Sequence, residues 1–275
     1  MLPSYIIILR PLNCLMASLA VIIGGMIASK TFFTKDIILA CIVGFVVCGA
    51  GNVINDYFDY EIDKINNPTR PIPSGKIPIK KAFLYSIFLF LSGIALSCMI
   101  NIYAVVMAII NSLILFLYPY KIKRIGGLSK NITVSYLVAS PFLFGSIALN
   151  QWSNTILIFL ILAFLANTSR EIVKDIEDTK GDIYPTLPKK IGIANSAKLA
   201  SIFMMMAILL SPIPYILHIL NIYYLVSVSF ADFIFICTFY KFLKKPEENV
   251  RKISTQIKVG MFFAMLAFII GKLNL

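Results

Sequence analysis

Acidic residues are scarce in this chain: 13 Asp and Glu stand against 25 Lys and Arg, and all charged residues together make up 14% of its 275 residues. So little charge cannot cover a soluble domain, and a hydrophobic share of 59% with a mean hydropathy of +0.86 points the same way. The chain reads as an integral membrane protein. Histidine occurs once, as His218, on the side opposite the basic loops, which argues against a histidine-based metal centre. The five cysteines, Cys14, Cys41, Cys48, Cys98 and Cys237, lie scattered in apolar runs with no paired spacing and read as small core residues. The first apolar segment lacks a small-residue cleavage pattern and is expected to be a retained helix.

Apolar runs long enough to cross a bilayer fall near 5–28, 36–60, 82–100, 102–120, 130–149, 155–178, 196–217, 221–243 and 255–272. They predict an all-α, polytopic membrane protein of nine transmembrane helices. The net charge of +12 does not call for nucleic acid, because 19 of the 25 basic residues sit in the loops 63–81, 120–130, 179–198 and 241–258. By the positive-inside rule those four loops and the N-terminus are expected in the cytoplasm and the C-terminus outside.

Nine of the 13 acids gather in two stretches, each closing a long apolar run. In the first, at 3.6 residues per turn, Asn55, Asp59 and Asp63 stack on one face of a helix, with Asp56 one step round the same side. Acids at a helix C-terminus oppose the macrodipole, so a solvated helix end is the weaker account. A hard divalent cation such as Mg²⁺, bound through a few carboxylates plus substrate phosphates, is the stronger. The second stretch holds Glu171, Asp175, Glu177, Asp178 and Asp182, in which Asp178 and Asp182 repeat the four-residue spacing. Two such helix ends brought face to face would repel when empty, so the pattern calls for bound cations.

Each cluster is followed by a proline-rich loop, Pro68-Thr69-Arg70-Pro71 in one half and Pro185-Thr186-Leu187-Pro188 in the other. The chain is therefore expected to be one domain, 1–275, of two related four-helix halves, about 1–125 and 126–245, plus a final helix. Arg70, held between prolines, suits bidentate contact with phosphate. Tyr118-Pro119-Tyr120-Lys121-Ile122-Lys123-Arg124 places phenols before cations at the end of the fourth helix, and Arg170 and Lys174 can balance carboxylates on the sixth. Asn13 in the first run, and Asp232 in the eighth, either line a cavity or make a polar contact between helices.

Asn55-Asp56-x-x-Asp59-x-x-x-Asp63 with Pro68-Thr69-Arg70-Pro71, and Asp175-x-x-Asp178-x-x-x-Asp182 on the sixth helix, resemble the UbiA superfamily of intramembrane prenyltransferases over essentially the full chain. The superfamily's Tyr-x-x-x-Lys pattern after helix four is met by Tyr118, but Ile122 stands at the lysine position with Lys121 and Lys123 on either side. Which lysine meets a diphosphate stays open. The resemblance implies a prenyl diphosphate bound through Mg²⁺, with metal ligands among Asn55, Asp56, Asp59, Asp63, Asp175, Asp178 and Asp182. It makes Asp59, Asp63, Asp178 and Asp182 the catalytic acids and Arg70, Lys121, Lys123, Tyr118 and Asn13 the candidates for binding phosphate groups. Within the superfamily the pattern is most similar to the archaeal ether-lipid branch, which joins a geranylgeranyl group to the hydroxyl of geranylgeranylglyceryl phosphate, a lipid phosphate acceptor; an aromatic quinone precursor or a haem is the alternative. A transporter would share the duplicated halves, yet here the charges gather at one face and not at the midplane.

Overall fold

The computed structural model describes residues 2–29, 33–179 and 184–273, and among them the chain is helical with no strand. The helices are α1 (Leu2–Ile7), α2 (Pro11–Ala28), α3 (Lys35–Phe58), α4 (Tyr60–Asn66), α5 (Ile79–Ser97), α6 (Ile102–Leu117), α7 (Lys123–Ile125), α8 (Gly127–Ala148), α9 (Asn154–Asp178), α10 (Leu187–Ile191), α11 (Ile193–Leu210), α12 (Ile213–Ile216), α13 (Ile222–Lys244) and α14 (Val250–Leu273). Among the described residues nine helical stretches are long and apolar enough to cross a membrane, in the order expected from the sequence.

The first run departs from its expectation as a single helix from residue 5. Pro11 has no N–H to continue a helix and disfavours helical dihedrals in the residue before it. Accordingly α1 stops, Arg10 takes the left-handed conformation (φ 53°, ψ 68°), and α2 begins afresh with Pro11 in its first turn, where proline is well tolerated. The Leu9 carbonyl at this break accepts hydrogen bonds from Asn52 Nδ2 at 2.8 Å and Cys14 Sγ at 3.1 Å.

Four spans that start away from the basic loops open on a side-chain cap. Thr34, Asn101, Ser153 and Asn221 accept from the backbone N–H groups of Ile37, Ala104, Ile156 and Tyr223, each such cap stabilising a helix by about 1 kcal/mol. The loops there are short and nearly free of charge, so the orphan donors of the helix N-terminus are met from within the chain.

The chain forms two compact units, residues 1–123 with 140–152, and 124–139 with 153–275. α8 passes from one to the other beside Pro141, an interior proline without an N–H to donate. In the first unit α3 packs on α2, α5 and α6, burying Val43, Val47, Ala50 and Ile54 with Phe90, Met107 and Phe144. Backbones come into contact where Gly24 meets the carbonyl of Phe142 and Gly145 that of Val21; a Cβ on either would lie within 2 Å of that oxygen. In the second unit α9 packs on α11 and α14 around Ile172, Val173, Met204, Phe235 and Ile257. Leu84, Phe88 and Leu91 leave an exposed apolar stripe down α5, a surface suited to lipid chains.

Candidate active site

The file of acids survives a joint in the helix. α3 ends at Phe58 and α4 starts at Tyr60, yet the Asp59 N–H reaches the Asn55 carbonyl at 3.0 Å, and the Asp63 N–H that of Asp59 at 2.8 Å. Those bonds keep Asn55, Asp59 and Asp63 in register across the break. Asn55 Nδ2 donates to Asp59 Oδ2 at 2.9 Å, and Asn67 Nδ2 to Asp63 Oδ1 at 3.1 Å. The loop after α4 is an ordered set of turns, closed by Ser74 N–H to Arg70 O at 3.0 Å and Ile77 N–H to Pro71 O at 3.0 Å. Ile72 and Ile77 anchor it by packing with Ile8 and Val53.

Asp56, Asp59 and Asp63 are all buried, and a buried carboxylate must be paired. The sequence assigns that task to bound cations; the structure gives much of it to the chain's own. Arg10 Nη2 lies 2.5 Å and Arg70 Nη1 3.6 Å from the same oxygen, Asp56 Oδ1, while Arg70 Nη1 is 2.6 Å from Asp63 Oδ2 and Lys123 Nζ 2.6 Å from Asp59 Oδ2. Asp56 thus meets two guanidiniums, cations that the chain itself supplies beside the file. No group of three or more His, Cys, Asp or Glu side chains among the described residues forms a ready-made metal cage. The donor chemistry nevertheless fits a hard cation, because Asp59 Oδ1 and Asp175 Oδ2 are buried carboxylate oxygens with no hydrogen-bond partner. Such an orphan costs about 1–3 kcal/mol, which a cation ligated there would recover.

The structure sets the two lysines of this stretch apart. Residues Tyr118–Ile122 form a π-helical turn, in which the Lys123 N–H bonds to the Tyr118 carbonyl five residues back. A π turn absorbs one extra residue, so Lys123 takes the position that a lysine four residues after the tyrosine would hold in an α-helix. Its ammonium reaches Asp59, whereas Lys121 is exposed. Tyr118 is half-buried, and Asn13 is exposed in the first turn of α2.

The second cluster combines a neighbouring pair with a distant one. Lys130 on α8 pairs with Asp175 at 2.8 Å, and Arg170 with its neighbour Glu171 at 2.8 Å; Lys174 and Glu177 are exposed. Asp178 is the last residue of α9, but its side chain, like all of Asp182, lies outside the described part of the chain. The α8 start is tied to the loop before α10, with the Gly127 N–H on the Pro185 carbonyl at 2.8 Å and Lys190 Nζ on the Ile125 carbonyl at 2.8 Å. Asp232 accepts from Ser211 Oγ at 2.6 Å, a polar contact between neighbouring segments.

Residues 17–266 match the UbiA prenyltransferase family. The chain belongs to that family. As a UbiA prenyltransferase it is a multi-pass membrane enzyme. It is similar to digeranylgeranylglyceryl phosphate synthases of Methanococcus maripaludis, 42% identical over 278 residues and 98% of each chain, and of Methanocaldococcus jannaschii, 42% identical over 281 residues, covering 100% of this chain and 98% of the relative. A solved digeranylgeranylglyceryl phosphate synthase structure has a TM-score of 0.90 at 40% identity, covering 100% of this chain and 99% of the other. A UbiA homologue from Archaeoglobus fulgidus, solved with GPP and Mg²⁺, shares the fold at a TM-score of 0.71 and 14% identity, covering 96% of this chain and 99% of that one.

Two site residues escape a reading of the UbiA motifs alone. Arg10 looks like a charge stranded in an apolar run, although the proline after it signals a helix break. Lys130 looks like one more basic loop residue, and no spacing in the sequence pairs it with Asp175, 45 residues on.

Proposed function

We propose that this enzyme transfers a geranylgeranyl group from geranylgeranyl diphosphate to the hydroxyl of geranylgeranylglyceryl phosphate, releasing diphosphate, with Mg²⁺ as cofactor. The observation that carries this reading is the identity of about two residues in five, over nearly the whole chain, to synthases named for that product. Mg²⁺ would be held by Asn55, Asp59 and Asp63 of the first cluster and Asp175, Asp178 and Asp182 of the second, and would act as a Lewis acid on the diphosphate oxygens.

The chain's own groups do the rest. Asn55 fixes the orientation of Asp59, leaving its Oδ1 available as a ligand. Lys123 and Arg70 rest on Asp59 and Asp63 and turn to the phosphate oxygens when the substrate arrives, offsetting the charge that develops on the leaving diphosphate. The carbon–oxygen bond to the diphosphate breaks, an allylic cation forms, and the acceptor oxygen captures it and gives its proton to the departing diphosphate. Apolar helices keep water from that cation. The basic loops put the acidic helix ends and the N-terminus in the cytoplasm and the C-terminus outside.

The test is to incubate purified enzyme with radiolabelled geranylgeranyl diphosphate, Mg²⁺ and a panel of acceptors. Label is expected in the doubly alkylated glyceryl phosphate. Preference for 4-hydroxybenzoate, or for a haem, would overturn the acceptor while leaving prenyl transfer intact.

A further inference from the structure

Three cations meet the first acidic cluster, and they are not equivalent. Arg70 and Lys123 contact Asp63 and Asp59, members of the file proposed to hold the diphosphate. Among the described residues the acid that Arg10 meets is Asp56, one step off that file, through Nη2. The Arg10 side chain is 35% exposed although that of Asp56 beneath it is 4% exposed, so the arginine is only partly covered.

Arg10 is also held in a conformation that costs energy. A non-glycine residue at φ 53° lies in the sparsely populated left-handed region, and such residues persist where their surroundings over-determine them. Here the Leu9 carbonyl is gripped by Asn52 and Cys14, Pro11 fixes the chain just after, and Asp56 takes the guanidinium. All of this fixes one arginine head group beside Arg70, the two sharing a single carboxylate oxygen. A guanidinium held in place by a buried carboxylate, with N–H groups left over, suits a phosphate monoester.

We infer that Arg10, positioned by Asp56 and the helix break, binds the phosphate of the acceptor and so selects a phosphorylated acceptor. The inference rests on the acceptor proposed above. It assigns the acceptor's phosphate to Arg10, apart from the Arg70 and Lys123 proposed to meet the diphosphate.

The test compares wild-type enzyme with Arg10→Gln, varying in turn geranylgeranyl diphosphate, geranylgeranylglyceryl phosphate and the same glyceryl ether without its phosphate. Losing a charge-assisted phosphate contact is expected to raise the KM of the phosphorylated acceptor by about one to two powers of ten. The KM of geranylgeranyl diphosphate should stay put, and the variant's preference for the phosphorylated acceptor should collapse. If Arg10→Gln is not recovered in membrane extracts, Arg10→Lys carries the same readout, since it keeps a charge for Asp56 but loses the fork. A variant that discriminates as wild type does, or one in which both KM values rise together, would overturn the seat alone. A wild-type enzyme indifferent to the acceptor's phosphate would overturn the acceptor and the seat with it.

Discussion

The two acidic clusters follow similar sequence patterns and are assembled differently. In the first, Asp56, Asp59 and Asp63 draw cations from three separate places, Arg10 before α2, Arg70 in the proline loop and Lys123 after the π turn, the most distant 64 residues away in sequence. In the second, Glu171 is paired by Arg170 next to it and Asp175 by a single lysine from α8. The first is thus a prearranged anion site with cations already in reach of phosphate. The second leaves Asp175 with one paired oxygen and one orphan, as the first leaves Asp59, but among the described residues it brings fewer cations to its buried acids. On the proposed function, like motifs divide the labour by degree: both would supply metal ligands, and the first would add the cations that meet the diphosphate.

Removing the matched lysines breaks that comparison most sharply. Lys123→Met takes away a cation aimed at the leaving group and is expected to lower kcat by about 10²- to 10³-fold. Lys130→Met removes the cation that pairs with Asp175 and should lower activity by about 10- to 100-fold, with most of the loss recovered at high Mg²⁺. Initial rates across a Mg²⁺ titration check both; equal losses, with equal rescue, would erase the division. A smaller effect sharpens it. Asn52→Ala strips the Leu9 carbonyl of its shorter hydrogen bond, which should cost about 1–3 kcal/mol and appear as a lower unfolding midpoint in detergent, with no counterpart in the second unit.

Much of this was legible in the sequence because it depends on local period. The four-residue spacing of Asn55, Asp59 and Asp63 needs only a helix, and nine apolar runs need only a bilayer's thickness. What stayed hidden depends on backbone irregularity or on distance along the chain. Arg10 was lost in an apolar run read as unbroken, because hydrophobicity outweighed the signal of the following proline. Lys123 was ambiguous for as long as an α-helical period was assumed, since a π turn shifts the register by one residue. Pairing between near neighbours, such as Arg170 with Glu171, is legible from helical spacing, whereas Lys123 and Lys130 are 64 and 45 residues from the carboxylates they meet, and no spacing links them.

The central claim is that these acids carry out a Mg²⁺-dependent prenyl transfer even though several are already matched by lysine and arginine. The direct measurement is diphosphate release by purified enzyme supplied with geranylgeranyl diphosphate and geranylgeranylglyceryl phosphate, first in excess chelator and then with Mg²⁺ restored. The account predicts no turnover in chelator and full recovery on adding Mg²⁺. Undiminished release in chelator would mean that Arg70 and Lys123 suffice to hold the diphosphate, and would contradict it.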